Sequence, residues 1–433
     1  MSSGISGNEQ QTSTAGSSGI RWTICALLFA ATTLNYMDRM VLGLLKPTIQ
    51  HSIGMSEVGY GYVVIAFQAA YAIGMLVMGR LIDKLGTRIG YLVVMVIWSL
   101  SAWGHALAST VVEFGIARFS LGLGESGNFP VAIKTVAEWF PQKERSLATG
   151  LFNSGTNLGA ILAPLAVPWI VHIFHGNWHA GFLITGVFST TWIILWFSYY
   201  HKPAEHPRLR PTELRYINEG TTEAPKPATP WLKLFGYRQA WAFVIGKFLT
   251  DPIWWFYLFW LPSYLTTNFH LTLSTLGLPL IIVYTAATVG SICGGWLPAP
   301  FRKAGMSVNR ARMFAMLTCA CAVIPIFLVG YMKNEWACVG LLSLATAAHQ
   351  GWSANLFTTV SDMFPRSEVA SVTGIGGTAG AAGGALIAYA AGHVLQYLHT
   401  YAPLFFVAAS VYIVAWVLIG FLAPGLTKAE MEA

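Results

Sequence analysis

The sequence predicts an all-α membrane protein with twelve transmembrane helices arranged as two pseudo-symmetric six-helix bundles. Three observations lead to this fold class. First, 55% of the 433 residues are hydrophobic and only 10% are charged, whereas a soluble domain is about 25% charged. Second, twelve segments have the length and the apolar composition that a helix needs to cross a bilayer. Third, the two halves of the chain share a repeated sequence pattern with the same orientation.

Each predicted span is a run of mainly apolar residues close to the roughly 20 that a membrane-crossing helix requires. Six spans precede and six follow one long polar segment, residues 201–240, which contains seven Lys or Arg side chains and six prolines. In chain order, the spans cover residues 22–45, 58–79, 89–109, 112–137, 146–172, 179–200, 241–267, 275–298, 311–332, 335–361, 368–397 and 402–423.

The positions of the spans and of the polar segments predict the domain boundaries. Residues 1–20 are rich in Ser, Gly, Thr and Gln and lack a basic segment, so we expect a disordered cytoplasmic tail and not a signal peptide. The N-terminal six-helix bundle covers 21–200, the cytoplasmic inter-bundle loop 201–240 and the C-terminal six-helix bundle 241–424. Residues 425–433 form a cytoplasmic C-terminal tail.

The distribution of Lys and Arg predicts the orientation in the membrane. With the N-terminus inside, nineteen of the 25 cations fall on one side, and only Lys46 and Lys333 fall on the other. Positive side chains accumulate in cytoplasmic loops. We therefore expect both termini in the cytoplasm and the chain in the plasma (inner) membrane. The same distribution explains the net charge of +7 without a nucleic-acid partner.

An internal repeat relates the two halves. The segment EWFPQKERSLATG (138–150) follows the fourth span, and DMFPRSEVASVTG (362–374) follows the tenth, at an offset of 224 residues. Repeats with the same orientation imply a pseudo-two-fold axis along the membrane normal, and substrate sites in such transporters lie near mid-bilayer between the halves. The offset places His349 at the position that is equivalent to Glu125.

Two spans contain charged residues that mark a candidate site. A charge at the bilayer centre costs roughly 2.5–3.5 kcal/mol on insertion scales, so such residues face a protein interior or a water-filled cavity. Arg118 and Glu125 of the fourth span are seven residues apart, which places them on one helix face, about 10.5 Å apart along the axis. In the first span, Asp38 and Arg39 point about 100° apart and do not simply pair with each other. The hypothesis is an anion site with a neighbouring titratable carboxylate.

Several motifs resemble known transporter families. GRLIDKLGTR (79–88) is similar to the signature loop of the major facilitator superfamily. The segments NYMDR, ARFSLGLGESGNFP and AHQGWSANLFTTVSDMFP resemble the anion:cation symporter family, and within it most closely the bacterial hexuronate transporters, which carry glucuronate or galacturonate. This resemblance extends from Trp22 to Ala423.

The resemblance implies roles for individual residues. Arg39 and Arg118 would hold the substrate carboxylate, and Asp38 and Glu125 would be the proton-coupling carboxylates. Arginine suits this role because its guanidinium stays charged and binds a carboxylate in a two-pronged geometry. The alternative for the two arginines is a structural ion pair with Asp38 and Glu125. Tyr36 and Tyr71 would line the sugar-acid pocket.

The signature loop implies a conformational latch. By resemblance, Asp83 and Arg88 belong to a cytoplasmic charge network that latches the outward-open state; a solvated turn with incidental charges is the alternative. The second copy, GGWLPAPFRKAG (294–305), has Ala299 where the acidic residue is expected, which puts a C-half latch in doubt.

Further substrate-binding candidates lie in the fifth and tenth spans. His349 either titrates or is a buried, neutral, hydrogen-bonded histidine. Gln350 and Asn355 are candidates for binding sugar hydroxyls. Asn153 and Asn157 share one helix face and bind either sugar hydroxyls or a neighbouring helix.

The seventh span contains two charged residues whose role the sequence leaves open. Lys247 either snorkels toward the cytoplasmic face or pairs with Asp251 at i,i+4, and Asp251 could also bind another cation. Trp254 and Tyr257 are candidate pocket residues. In the eleventh span the glycine-rich run 374–384 predicts close helix packing.

The predicted function is proton-coupled symport of a sugar-acid anion, a hexuronate such as glucuronate or galacturonate, into the cytoplasm by alternating access. The predicted partners are the small anionic substrate, the proton and the lipid bilayer, and the chain is expected to be monomeric. A carrier of another organic anion (galactonate, glucarate or another carboxylate), possibly Na⁺-coupled or an exchanger, is the nearest alternative. A non-transporting membrane sensor is a remote one.

No enzyme activity, cofactor or metal is predicted. The five cysteines lack paired metal-type spacing and are interpreted as small packing residues. Gly122, Gly124 and Gly127 match a dinucleotide-binding pattern, but the strand–turn–helix unit that this pattern requires is missing around them.

Overall fold

A computed structural model describes residues 19–141, 144–218 and 231–430, and within these ranges the chain is predominantly helical. The N-half contains α1 (Ile20–Ile53), α2 (Glu57–Leu107), α3 (Val111–Ser126), α4 (Asn128–Trp139), α5 (Arg145–Ile173) and α6 (His179–Tyr199). Two short helices follow, α7 (Pro211–Ile217) and α8 (Trp231–Leu234). The C-half contains α9 (Arg238–Phe269), α10 (Gly277–Trp296), α11 (Pro298–Lys303), α12 (Val308–Val323), α13 (Glu335–Met363), α14 (Arg366–Leu398) and α15 (Ala402–Leu422).

All twelve predicted spans coincide with helices, but four of them are not simple, separate helices. The second and third spans form the single element α2, which bends at Gly86, where φ is 75° and ψ is 165°. Glycine adopts this positive φ at no steric cost. The fourth span is divided into α3 and α4 at Gly127. The ninth span is α12 followed by a 3₁₀ helix, Ile324–Tyr331. Most of the predicted N-terminal tail and residues 219–230 of the predicted loop lie outside the described residues.

Eight stretches of helix within the described residues are long and apolar enough to cross a membrane by length and composition. The four other predicted spans are the first, fourth, seventh and tenth, which correspond to α1, α3 with α4, α9 and α13. These helices contain most of the charged candidates of the sequence. Their polar side chains are largely buried between helices, where protein groups and not lipid surround them.

Close helix packing depends on glycine at several crossings. On α5, a Cβ added at Gly159 would lie 2.3 Å from the carbonyl oxygen of Thr33 on α1. On α3, a Cβ at Gly124 would lie 2.8 Å from the backbone nitrogen of Trp98, so the glycine pattern there is a helix contact. On α14, a Cβ at Gly380 would lie 2.4 Å from Asp251 Oδ2 on α9. The predicted close packing of the glycine-rich run is thereby confirmed.

The two halves contact each other near the C-terminal end of α1. Lys46 Nζ is fully buried and donates to Glu57 Oε2 at 2.7 Å and, across the halves, to Ser263 Oγ at 3.3 Å. The Tyr60 hydroxyl donates to the carbonyl oxygen of Phe259 at 2.9 Å. We call these five residues the outer seal. With the N-terminus in the cytoplasm, as the charge distribution predicts, the outer seal lies on the periplasmic side.

The segment between the halves is attached to the N-half. Arg21 Nε lies 3.2 Å from Glu144 Oε2, and its Nη1 lies 3.3 Å from Glu213 Oε1 on α7. The Tyr216 hydroxyl of α7 donates to Glu144 Oε1 at 2.5 Å. The first part of the inter-bundle segment is therefore held against the start of α1 and α5.

The α1–α5 crossing predicts opposite effects for two glycines on the same helix. Gly159→Ala forces a methyl group into the backbone of α1, and overpacking of this kind costs about 1–3 kcal/mol. Gly150→Ala meets nothing within 4 Å and replaces a poor helix former, a gain of up to about 1 kcal/mol. Thermal unfolding of the detergent-purified protein should show a lower Tm for Gly159→Ala only. Equal Tm values would contradict the packing described here.

Candidate functional site

A buried ion pair joins α1 to α3. Arg39 Nε lies 2.5 Å from Glu125 Oε2, and the two side chains are 3% and 0% exposed. Removing either charge from water is costly, and pairing at hydrogen-bond distance offsets part of that cost. The other carboxylate oxygen, Oε1 of Glu125, has no hydrogen-bond partner among the described residues. The ion-pair alternative of the sequence analysis therefore holds for Arg39 and Glu125.

Aromatic rings surround the Arg39 guanidinium. Its central carbon lies 4.7 Å from the ring centroid of Tyr71, 5.0 Å from Tyr36, 5.4 Å from Trp255 and 5.5 Å from Phe67. Cation–π attraction of this kind strengthens when the cation is desolvated. Trp255 belongs to α9, so the C-half contributes one of the rings around a cation of the N-half.

Arg118 supplies a second cation beside this pair. Its side chain is fully buried, and Nη2 donates to the carbonyl oxygen of Arg39 at 3.3 Å. Its Nε and Nη1 have no hydrogen-bond partner within the described part of the chain. The guanidinium lies 5.6 Å from the ring of Phe67 and 5.9 Å from that of Phe259. Because a guanidinium stays charged and presents five donors, Arg118 has unused capacity to bind an oxyanion.

Asp38 faces away from Arg39 and into the N-half. Its Oδ2 accepts hydrogen bonds from Trp98 Nε1 at 2.6 Å and from Ser189 Oγ at 3.3 Å. Its Oδ1 has no partner among the described residues. Asp38 and Arg39 are thus held by different neighbours, as their angular separation on the helix predicts. Sequence reasoning missed Trp98 and Ser189, because a Trp or Ser in an apolar span gives no sign of which acceptor it contacts.

The tenth-span candidates are packed inside the C-half. His349 Nδ1 lies 2.6 Å from the Tyr412 hydroxyl, and its ring stacks on Trp254 at 5.3 Å. Of the two alternatives for His349, the structure shows the buried, hydrogen-bonded histidine. Asn355 Nδ2 donates to the carbonyl oxygens of Gly294 at 2.7 Å and Gly351 at 2.9 Å, which ties α13 to α10.

The remaining binding candidates lie apart from the ion pair. Asn153 is exposed on α5, and Gln350 is half-buried on α13. In the described ranges, no hydrogen bond links either side chain to Arg39 or Glu125. The predicted binding roles of Asn153 and Gln350 remain predictions.

The latch candidates lie near the bend of α2. Arg88 Nη2 donates to the carbonyl oxygen of Phe197 at 2.9 Å, and its guanidinium lies 4.5 Å from the Phe197 ring. These contacts stay within the N-half. The side chain of Asp83 lies outside the described residues, so the predicted Asp83–Arg88 latch remains a prediction.

A second buried pair lies on α9. Lys247 Nζ is 2.5 Å from Asp251 Oδ2, and the side chains are 7% and 19% exposed. Lys247 Nζ also lies 4.2 Å from the Phe357 ring centroid. Of the alternatives for Lys247, the structure shows the i,i+4 pair. Along the same helix Trp255 lies over Arg39, and the pocket candidate Trp254 stacks on His349.

In the described ranges the helices match the predicted spans of two halves, and buried charges of the N-half lie beside α9 of the C-half, an arrangement that fits a multi-pass membrane transporter. Residues 28–388 match the family model described as Major Facilitator Superfamily. The chain belongs to this superfamily, whose members are transporters, and it is not an enzyme. The predicted family and fold class are confirmed.

Relatives and a solved structure agree with this assignment. The chain is 31% identical to the hexuronate transporter of Escherichia coli (strain K12) over 396 residues, which cover 90% of this chain and 91% of that protein. It is 28% identical over 432 residues to the probable galactarate/D-glucarate transporter of the same organism, covering 95% and 96%. The crystal structure of a D-xylose-proton symporter matches with a TM-score of 0.74 at 14% identity, covering 95% of this chain and 100% of that chain, which shows the fold alone.

The ion pair predicts a stability difference between a single and a double variant. Arg39→Met leaves the Glu125 carboxylate buried without its hydrogen-bonded partner, and breaking a buried pair in this way costs about 3–5 kcal/mol. The double variant Arg39→Met/Glu125→Gln contains neither charge and should be more stable than the single one. Thermal unfolding in detergent at pH 8 measures both.

Lowering the pH should reduce this difference, because protonation removes the uncompensated charge of Glu125 in the single variant. Equal Tm values for the single and double variants at pH 8 would show that Arg39 does not neutralise Glu125.

Proposed function

We propose that this transporter is a proton-coupled symporter that carries a hexuronate, such as glucuronate or galacturonate, into the cytoplasm by alternating access. It works in the plasma membrane as a monomer, with both termini in the cytoplasm. One observation carries the proposal: a titratable carboxylate, Glu125, is paired with Arg39 beside a second arginine, Arg118, that has unused donors. The 31% identity to a hexuronate transporter supports the choice of substrate.

The proposed coupling follows from charge. While Glu125 is ionised it occupies Arg39, and the pair has no net charge. A proton taken up by Glu125 from the acidic outer side removes the negative charge and leaves Arg39 available. Arg39 and Arg118 then bind the substrate carboxylate through charge-assisted, two-pronged hydrogen bonds. Proton and anion thus bind together, and each favours the binding of the other.

Release on the cytoplasmic side reverses these steps. At the higher cytoplasmic pH Glu125 loses its proton, and the carboxylate of Glu125 competes with the substrate carboxylate for Arg39. Neutralising the bound anion also lowers the cost of closing the pocket, because a buried uncompensated charge is expensive. With one proton per monoanion the loaded site carries no extra charge, so the pH gradient drives uptake.

Asp38 is the second proton site of the proposal. Trp98 and Ser189 hold its Oδ2, while Oδ1 is unpaired in the described part of the molecule. If Asp38 also loads a proton in each cycle, one positive charge enters with the substrate. The membrane potential would then contribute about 2.3 kcal/mol per 100 mV.

The rings around Arg39 suit a sugar acid. Tyr36, Tyr71 and Trp255 combine flat apolar faces with polar edges, and amphipathic rings of this kind can stack on a sugar and bind its hydroxyls. A related sugar acid is the second candidate substrate, because the chain is 28% identical to a probable galactarate/D-glucarate transporter.

Uptake into proteoliposomes tests the proposal. We expect labelled galacturonate to accumulate when the outside is made acidic, with competition by glucuronate. Arg118→Ala should reduce uptake by more than tenfold, since loss of a charged hydrogen-bonding partner at a buried site costs about 2–5 kcal/mol. Arg302→Ala, which removes an exposed arginine on α11, is the matched control and should retain uptake. Glu125→Gln should abolish accumulation by the pH gradient.

The same assay separates the alternatives. Transport of galactonate without galacturonate would keep the mechanism and change the substrate. Uptake that needs a Na⁺ gradient and does not depend on a pH gradient would overturn proton coupling. Absence of transport for every organic anion tested would overturn the carboxylate site at Arg39 and Arg118.

A further inference from the structure

One face of α9 is directed at the arginines of the N-half. Lys247, Asp251, Trp255 and Phe259 follow each other at intervals of four residues, which places them along one side of the helix. Trp255 lies 5.4 Å from the Arg39 guanidinium, and Phe259 lies 5.9 Å from that of Arg118. The two aromatic residues therefore fix which way this face points.

Asp251 continues the same face beyond Trp255. A spacing of four residues corresponds to about 6 Å along a helix axis, so Asp251 lies roughly one turn from the ring that covers Arg39. Tyr36 of α1 lies 5.0 Å from the Arg39 guanidinium, so rings from both halves meet at this cation.

The Asp251 carboxylate packs against α14 and belongs to the more exposed side chain of the α9 pair. Gly380 of α14 makes room for it, since a Cβ there would lie 2.4 Å from Oδ2. The side chain is 19% exposed, whereas that of Lys247 is 7% exposed. Because both residues belong to α9, the pair can rearrange around a ligand without moving one helix against another.

We propose that the Lys247–Asp251 pair forms the C-half wall of the substrate pocket and selects sugar acids with one carboxylate over those with two. This inference rests on the proposed function and deepens it. The substrate carboxylate binds Arg39 and Arg118, and the distal end of the sugar reaches α9. There a hydroxyl donates to Asp251 and accepts from Lys247.

A second carboxylate at this wall has no cation of its own. Lys247 is neutralised by Asp251, and the negative charge of Asp251 repels an incoming carboxylate. The pair therefore favours a hexuronate or an aldonate, whose distal end is uncharged, over a dicarboxylate such as glucarate. Without the charge of Asp251, Lys247 becomes an uncompensated cation that attracts the second carboxylate.

Competition against labelled glucuronate uptake measures this preference. In the wild-type protein, unlabelled glucuronate should compete more strongly than glucarate. Asp251→Asn should move the ratio of the two inhibition constants toward glucarate by about tenfold, the change that about 1.4 kcal/mol produces. Lys247→Gln leaves Asp251 unpaired and should weaken both competitors.

Two matched variants separate charge from shape. Lys247→Gln/Asp251→Asn has an uncharged wall, so its ratio should return toward the wild-type value. Asp251→Glu keeps the negative charge, so its ratio should remain on the wild-type side. A shift in Asp251→Glu as large as that in Asp251→Asn would overturn the electrostatic explanation.

A test on the wild-type protein does not depend on the folding of variants. Glucaric acid monoamide has the shape of glucarate but one carboxylate, and it should compete about as well as glucuronate. Equal inhibition by glucarate and its monoamide would overturn the inference. An unchanged ratio in a folded Asp251→Asn protein that still takes up glucuronate would overturn it too. If the wild-type protein transports no sugar acid, the proposed function fails first, which is a separate and recognisable result.

Discussion

Charged side chains are costly to bury, and this cost constrains how the helices around Arg39 and Glu125 are arranged. Arg39 and Glu125 are buried on different helices, and each makes the burial of the other tolerable. The pair therefore ties α1 to α3, because moving the two helices apart would leave each charge buried without its partner. The close approach of α3 to α2 at Gly124, and of α5 to α1 at Gly159, brings the surrounding helices near enough to exclude lipid from these charges.

The C-half meets these charges with aromatic rings. Trp255 covers Arg39, and Phe259 lies beside Arg118 while its carbonyl oxygen accepts the Tyr60 hydroxyl in the outer seal. One residue of α9 thus belongs to both the pocket and the seal. Separation of the halves at the outer seal would remove these rings from Arg39 and Arg118, so the proposed alternating access would couple occupancy of the arginines to closure of the seal.

Much of the fold followed from composition and periodicity, because a bilayer permits few ways of satisfying backbone hydrogen bonds. Length and hydropathy located all twelve spans, although four of them contain polar residues that lower their hydropathy. The break at Gly127 and the continuous α2 could not be predicted in the same way, since they depend on local backbone angles. At the site, charge in an apolar span was enough to identify Arg39, Arg118, Asp38 and Glu125. Their partners could not be assigned, because pairing depends on how helices face each other.

The repeat indicates the architecture of the two halves, but the residues at equivalent positions have different partners. An offset of 224 residues relates Glu125 to His349, which suggests that both halves place a titratable group at the same position. In the structure, His349 is hydrogen-bonded to Tyr412 and stacks on Trp254 inside the C-half. The polar contribution of the C-half comes from α9, where Lys247 pairs with Asp251 on one helix.

This difference has a mechanical consequence. The N-half pair links two helices, so opening it releases a contact between elements, whereas the α9 pair can open and close within one element. The two halves share a fold but differ in the charged groups that they place at the site. The N-half holds the interhelical ion pair and Arg118, and the C-half presents the Lys247–Asp251 pair and the rings beside the arginines.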